Sequence, residues 1–407
     1  MSQLPPQLSP ARQIIVGVQY LFVAFGATVL VPLLVGLDPS TALFSAGIGT
    51  LLFHLVTGGK VPIFLGSSFA FIAPIVSATK IYGLPGTLFG IVGVGLVYLL
   101  MAGLVRAFGL KFIHRLFPPA VIGPIIMLIG LSLSGAAVKM AAENWWLALA
   151  SLATAIVVTL YVKGLLKLIP IFCGIVVGYV LDATFFEIDY ASVAAAPWFA
   201  LPQLTLPTLE SISWQPIVFM IPVAIAPVIE HIGDVYVVNS VAEKDFTKDP
   251  GLHRTLAGDG VACLFAACVG APPVTTYSEV TGAMSLTRVC QPRVLQIAAV
   301  TGIVFSMVGK VSALLRSIDP AILGGIMLLL FGTIAGAGVK NLLEHRVDMS
   351  NARTLVIVSV TLTVGIGGAV LELGSFSMQG IGLAAIVAVV LNQLLPQQKE
   401  EQEAAKP

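Results

Sequence analysis

The sequence predicts an all-α polytopic membrane protein of fourteen transmembrane segments, arranged as two inverted seven-span repeats with short extended pieces in the third and tenth segments. Three observations predict it. Of 407 residues, 57% are hydrophobic and only 10% charged, against roughly 25% charged in a soluble domain. Apolar stretches able to cross a hydrocarbon core of about 30 Å recur along the whole chain. Two short motifs also recur about half a chain apart.

Continuous apolar runs lie at 14–35, 39–57, 84–105, 118–138, 145–162, 166–185, 214–239, 291–309, 319–338, 353–370 and 376–395. Three more, 61–79, 255–270 and 271–286, are shorter or interrupted, and together they make the fourteen crossings. Charge placement supports an even count. With the N-terminus inside, 17 of the 21 Lys and Arg residues fall on cytoplasmic segments, among them Lys111, Arg115, Lys399 and Lys406. Only Lys80, Lys139, Lys310 and Arg316 fall outside, the asymmetry expected of short cytoplasmic loops. Both termini are therefore expected in the cytoplasm, with the chain in the cytoplasmic (inner) membrane. The start, MSQLPPQLSPARQ, lacks the basic-then-apolar layout of a cleaved signal peptide, and the tail QQKEEQEAAKP reads as a solvated end.

A net charge of +1 gives no reason to expect nucleic acid. The four cysteines (Cys173, Cys263, Cys268, Cys290) lie in or beside apolar segments without a C-x-x-C pair, and read as small buried hydrophobes. Neither a metal site nor a cofactor is expected.

The repeat shows in PAVIGPIIM at Pro119–Met127 against PAILGGIML at Pro320–Leu328, offset by 320 − 119 = 201. Ser67-Ser68-Phe69 matches Thr275-Thr276-Tyr277 at 275 − 67 = 208. Seven crossings per half is an odd number, so the second copy starts from the opposite side, a layout typical of secondary transporters. The interrupted segments VPIFLGSSFAFIAP and VGAPPVTTYSEVTGAM hold corresponding places in the two halves. Their Pro, Gly, β-branched and hydroxyl residues read as a short extended piece followed by a half-helix. Such backbone survives at membrane depth only when buried in protein or lining a cavity, and the free N–H groups of a half-helix suit a polar ligand.

Charge within the apolar stretches marks the same place. Glu230 and Asp234 share one helix face at i, i+4, and Asp259 and Glu279 follow. A carboxylate at bilayer depth costs about 2.5–3.5 kcal/mol and persists only facing a cavity or a partner. Glu230 is expected to accept hydrogen bonds from a ligand and, with Asp234, to exchange a proton. Glu279 is the second acceptor. Asp259, among small residues in AGDG, is expected to support the broken segment, as is Ser68. His231 points off the Glu230 face and reads as a satisfied core histidine. Phe69 and Tyr277 are placed to flank a flat ligand. Two carboxylates, free N–H groups and two aromatics describe a small planar molecule with N–H donors and C=O acceptors, and nucleobases fit.

FGATVLVPLL, GSSFAFIAP, the Pro-Ala segment after Phe117, VIEHIGD, KDPGLHR and PPVTTYSEVTGAMSLTRV occur in an order that resembles the nucleobase–ascorbate transporter family (nucleobase:cation symporters), most closely its bacterial uracil permeases. The resemblance covers nearly the whole chain. It implies fourteen spans, with a core domain from residues 1–115 and 214–310 moving against a gate domain from 116–213 and 311–407. It implies proton-coupled uptake of uracil, with xanthine, another purine or urate as the alternative within the family. Carried over by position, Glu230 is the bidentate acceptor for the base and Glu279 the second carboxylate. Phe69 and Ser278 offer backbone N–H groups, Phe69 and Tyr277 flank the base, and Phe331 closes the pocket from the gate. A homodimer through the gate domain is also implied.

Four positions depart from the uracil pattern. Asp234 stands for a histidine, Ser278 for a glycine, Val280 for an asparagine and Phe331 for a tyrosine. Asp234 and Asp259 resemble the xanthine branch, whereas Glu279 is of the uracil type. An anion exchanger or channel of related architecture is disfavoured because Glu230 and Glu279 would repel an anion. An intramembrane aspartyl protease using Asp234 and Asp259 is disfavoured because Leu256 stands where G-x-G-D needs glycine, and no Tyr-Asp dipeptide occurs.

Overall fold

The computed structural model describes residues 8–109, 116–186, 190–207, 213–373 and 376–396; Lys111, Arg115, Lys399 and Lys406 lie outside them. The first two helices are α1 (Pro10–Val35) and α2 (Pro39–Val56). Strand β1 (Leu65–Ser67), a 3-10 turn at Phe69–Phe71 and α3 (Ile72–Phe108) follow. Then come α4 (Pro119–Ala141), α5 (Trp145–Tyr161), α6 (Pro170–Phe185), α7 (Trp214–Ala242) and α8 (Leu252–Val269). The chain continues through β2 (Val274–Thr276), α9 (Ser278–Thr287), α10 (Pro292–Ser306), α11 (Gly309–Arg316), α12 (Pro320–Glu344) and α13 (Ala352–Ile366). It ends in β3 (Val370–Leu373), β4 (Phe376–Gln379) and α14 (Gly380–Leu394).

Local chemistry explains many boundaries. Pro occupies the first turn of α1, α2, α6 and α10, where its missing N–H costs nothing. Asp38, Asn144, Ser213 and Asn351 cap α2, α5, α7 and α13 through side-chain oxygens. In α3, Gly83 takes φ 71 and ψ 170, a conformation that L side chains resist. It breaks the helix between the predicted segments 61–79 and 84–105, which meet at this kink. Among the described residues, seven helical stretches are long and apolar enough to cross a membrane, so this is a mostly helical membrane protein.

The chain divides into two compact units. The first comprises Met1–Gly103 and Ala136–Leu329. Within it α2 packs against both α8 and α10, and small residues set the approach. A Cβ on Gly47 would lie 2.6 Å from the Ala299 carbonyl, and one on Gly258 2.5 Å from the Phe53 ring. With lipid rather than water outside, close packing of this kind supplies helix association. The second unit comprises Leu104–Gly135 and Leu330–Pro407. There α13 packs on α14, and Gly338 lets α12 approach Met127.

Two features depart from the expected apolar runs. The run 376–395 opens with β4, which pairs antiparallel with β3 (Leu371 opposite Met378), before α14 begins. Residues 310–316, which lie between the apolar runs 291–309 and 319–338, belong to α11; its sequence GKVSALLR has apolar residues on one side and Lys310, Ser312 and Arg316 interleaved.

Candidate functional site

The two interrupted segments meet. Strand β1 pairs antiparallel with β2, with Leu65 opposite Thr276, Gly66 opposite Thr275 and Ser67 opposite Val274. The pairing extends through Ser68 N–H to Pro273 O and Tyr277 N–H to Phe64 O. All six strand residues are buried, so every backbone group needs a partner. Thr50 Oγ1, on α2, accepts the Leu65 N–H at 2.9 Å. Tyr277 Oη donates to Ser67 O at 2.9 Å, and Cys263 Sγ to Val274 O at 3.0 Å. The Ser67 hydroxyl in turn reaches Thr28 O on α1 at 3.1 Å. Thus α1, α2 and α8 clamp the edges of an extended pair that lipid could not tolerate.

From this pair two half-helices depart in opposite directions. One begins at Phe69, after Ser68; the other is α9, which begins at Ser278 with Tyr277 as an N-cap whose side chain makes no cap. The first N–H groups of each have no intrahelical acceptor. Helix α7 runs alongside and touches β2, α9 and the Phe69 turn. It carries Glu230 and, one turn on, Asp234. Asp234 is buried, and both its oxygens accept from the Ser278 hydroxyl, at 2.9 and 3.1 Å. Glu230, Ser278 and Glu279 keep accessible side chains. The open side of the site therefore offers two carboxylates beside a half-helix N-terminus.

Behind it lies a buried network. His231, fully buried, places Nδ1 2.9 Å from Asp259 Oδ2 and Nε2 2.8 Å from Thr255 Oγ1. The Thr255 hydroxyl donates to Leu252 O at 2.9 Å, so it accepts from His231 Nε2–H. Tyr98, packed edge-on to His231, hydrogen-bonds the Thr275 hydroxyl at 3.1 Å.

The structure thus gathers Ser68, Phe69, Glu230, Asp234, Asp259, Tyr277, Ser278 and Glu279 around one strand pair. The two aromatics differ in role. Phe69 is half-buried and keeps accessible surface, whereas Tyr277 is buried with its ring across Gly66, where a Cβ would come within 2.4 Å of it. Tyr277 locks the strands rather than presenting a free face, because its hydroxyl and ring both go to β1. Phe331 belongs to the second unit, where it is buried. Sequence reasoning missed Thr50, Tyr98, Thr255 and Cys263, whose polar atoms hold the strand pair or the histidine. Their signal was faint: single polar residues on otherwise apolar helix faces. Among the described residues, no group of three or more His, Cys, Asp or Glu is placed to hold a metal.

Comparison with known proteins gives consistent results. A permease family matches residues 11–374. A probable uracil permease of Haemophilus influenzae is 47% identical over 99% of this chain and 100% of its own. The uracil permease of Bacillus caldolyticus is 45% identical, over 94% of this chain and 92% of its own. That of Escherichia coli is 36% identical, over 96% and 92%. Among solved structures, the transmembrane domain of the cyanobacterial bicarbonate transporter BicA aligns with a TM-score of 0.66 at 14% identity, covering 96% of this chain and 100% of that one. Murine Solute Carrier 26 family member A9, an anion transporter in the inward-facing state, aligns with a TM-score of 0.73 at 10% identity, covering 96% and 69%. These two share the fold alone.

Proposed function

Because the chain belongs to the permease family that matches residues 11–374, we propose that it carries uracil across the cytoplasmic membrane together with a proton. One observation carries the reading: Glu230 and Glu279 stand accessible beside the paired half-helix starts, in a chain akin over nearly its full length to uracil permeases. Uracil presents two ring N–H donors and two carbonyl acceptors on one plane. Carboxylates accept the first, and the free N–H groups of Phe69 and Ser278 donate to the second. A base lacking a partner group leaves a buried polar atom unpaired, which is the strong form of discrimination.

In this reading the fourteen segments form an inverted repeat, and both termini are cytoplasmic. The core (1–115 and 214–310) carries base and proton past the gate (116–213 and 311–407), with Phe331 closing the pocket and a homodimer formed through the gate. Proton and base bind from outside at Glu230, Asp234 and Glu279 and leave inside. Alternating access needs this site open to one face at a time. Asp234 and Asp259 favour xanthine as the second reading.

The test is uptake of radiolabelled uracil into cells lacking their own permeases, with unlabelled thymine, xanthine, hypoxanthine and urate as competitors. Uptake favoured at acidic pH, stopped by a protonophore and displaced only by pyrimidines is expected. E230Q, which keeps shape but loses the charge-assisted acceptor, lowers uptake about 10–100-fold. Competition by xanthine in place of thymine would move the assignment to the purine branch, and uptake of no base would sink it.

A further inference from the structure

The Ser278 hydroxyl is not spent on its own helix. Tyr277 is the N-cap of α9 and supplies no side-chain bond, and Ser278 Oγ instead bridges to both oxygens of Asp234, 44 residues earlier on α7. The buried Asp234 and the accessible Ser278 thereby tie the helix bearing Glu230 to the half-helix bearing Glu279. The other groups facing Asp234 are Glu230 and His231 on α7, Thr276 on β2 and Glu279 on α9.

We propose that Asp234 and Ser278 form a proton-operated clasp, in which Ser278 is a positioning residue that holds the start of α9 against α7 while Asp234 is ionised. A hydroxyl bonds an ionised carboxylate roughly twice as strongly as a neutral acceptor, and the positive start of α9 adds to the attraction. When Asp234 takes a proton, both contributions weaken. The Ser278 backbone N–H and the Glu279 carboxylate, carried on the same helical turn, are then free to close on the base. Proton occupancy is in this way converted into the geometry of the binding site. The inference rests on the proton-coupled reading above and assigns the Ser278 side chain to Asp234 rather than to the base.

The experiment measures initial uracil uptake against pH for the native protein, S278A, S278C and S278T. A hydrogen bond to the ionised form opposes proton binding, so S278A is expected to stay active to higher pH, with the alkaline limb displaced upward by roughly one pH unit. S278T, which keeps a hydroxyl, restores the native midpoint. S278C, a weak donor of similar size, follows S278A and gives the same reading if the alanine variant does not reach the membrane. In the D234N background S278A has no carboxylate to release, so uracil affinity of the solubilised D234N and D234N/S278A proteins is expected to be equal. Superimposable pH profiles for S278A, S278C and native protein would overturn the clasp. So would weaker uracil binding by D234N/S278A than by D234N, which would place the hydroxyl on the base. Native protein that takes up no base at any pH would refute the transport reading instead, and is distinguishable from either result.

Discussion

His231 and Asp259 show how a buried polar pair behaves in this protein. Both side chains are fully buried and 2.9 Å apart. Removing one partner strands the other without water, a loss of about 3–5 kcal/mol, whereas replacing both with apolar residues costs much less. H231L and D259A are each expected to lower the thermal unfolding midpoint of the solubilised protein sharply, with the double variant more stable than the sum predicts; simple additivity would show that the two do not act as a pair. The carboxylates were legible from sequence because charge cannot hide in an apolar run: Glu230, Asp234, Asp259 and Glu279 had to serve a cavity or a partner. Their pairings were not. His231 meets Asp259 across 28 residues and Asp234 meets Ser278 across 44, and no local pattern encodes which buried donor faces which acceptor. The same holds for Tyr277, whose ring lies over Gly66, a glycine 211 residues away in the other broken segment.

Among the elements, the broken segments were readable because Pro, Gly and hydroxyl residues in an apolar stretch have few alternatives to extended backbone held inside protein. Helix α11 and the β3–β4 hairpin were not readable, being short and amphipathic beside long apolar runs. Yet α11 is tied down by one carboxylate. Asp38 caps α2 at Ser40 and Thr41, meets Arg316 at 2.8 Å and accepts the Gln203 N–H at 3.3 Å. The Thr41 hydroxyl shares its one proton between Asp38 Oδ2 at 3.0 Å and Gln203 O at 2.8 Å. Thus α2, α11 and the 190–207 segment converge on a single side chain. Burial works against its ionised form, but the Arg316 guanidinium, the Thr41 hydroxyl and the Gln203 N–H outweigh it and hold the carboxyl below its ordinary value. A depressed carboxyl contributes stability above its unfolded value, near 3.9, and loses it as pH falls through the folded value. D38N is therefore expected to lower the unfolding midpoint by the equivalent of about 1–2 kcal/mol, discounted for the half-exposed Arg316. The gap to native should hold from about pH 8 to 5 and close below about 4. A gap that disappears between pH 7 and 5 would assign the effect to another group.

At the scale of the molecule, composition alone was enough for a membrane protein, but the number of crossings depends on alternation, where one misjudged pair of spans inverts everything downstream. Lys139 and Lys248 provide the check. Both side chains are exposed, Lys139 near the end of α4 and Lys248 between α7 and α8. The helices α5, α6 and α7 lie between them, and if each crosses the membrane once the two lysines stand on opposite faces. The bias of Lys and Arg assigns Lys139 outside and Lys248 inside. In a background with the four native cysteines replaced, using Ser at Cys263 to keep the donor to Val274 O, Lys139→Cys is expected to react with an impermeant maleimide in intact cells. Lys248→Cys should react only after permeabilisation. The experiment reaches beyond topology. If the two positions are labelled from the same face, the segments carrying β1 and β2 cannot be related by inversion, and two half-helices that begin at one strand pair would not descend from opposite sides of the membrane. If they are labelled from opposite faces, the antiparallel register of Leu65–Ser67 against Val274–Thr276 follows from the inversion itself: two copies of one motif, arriving from opposite faces, meet with their strands reversed.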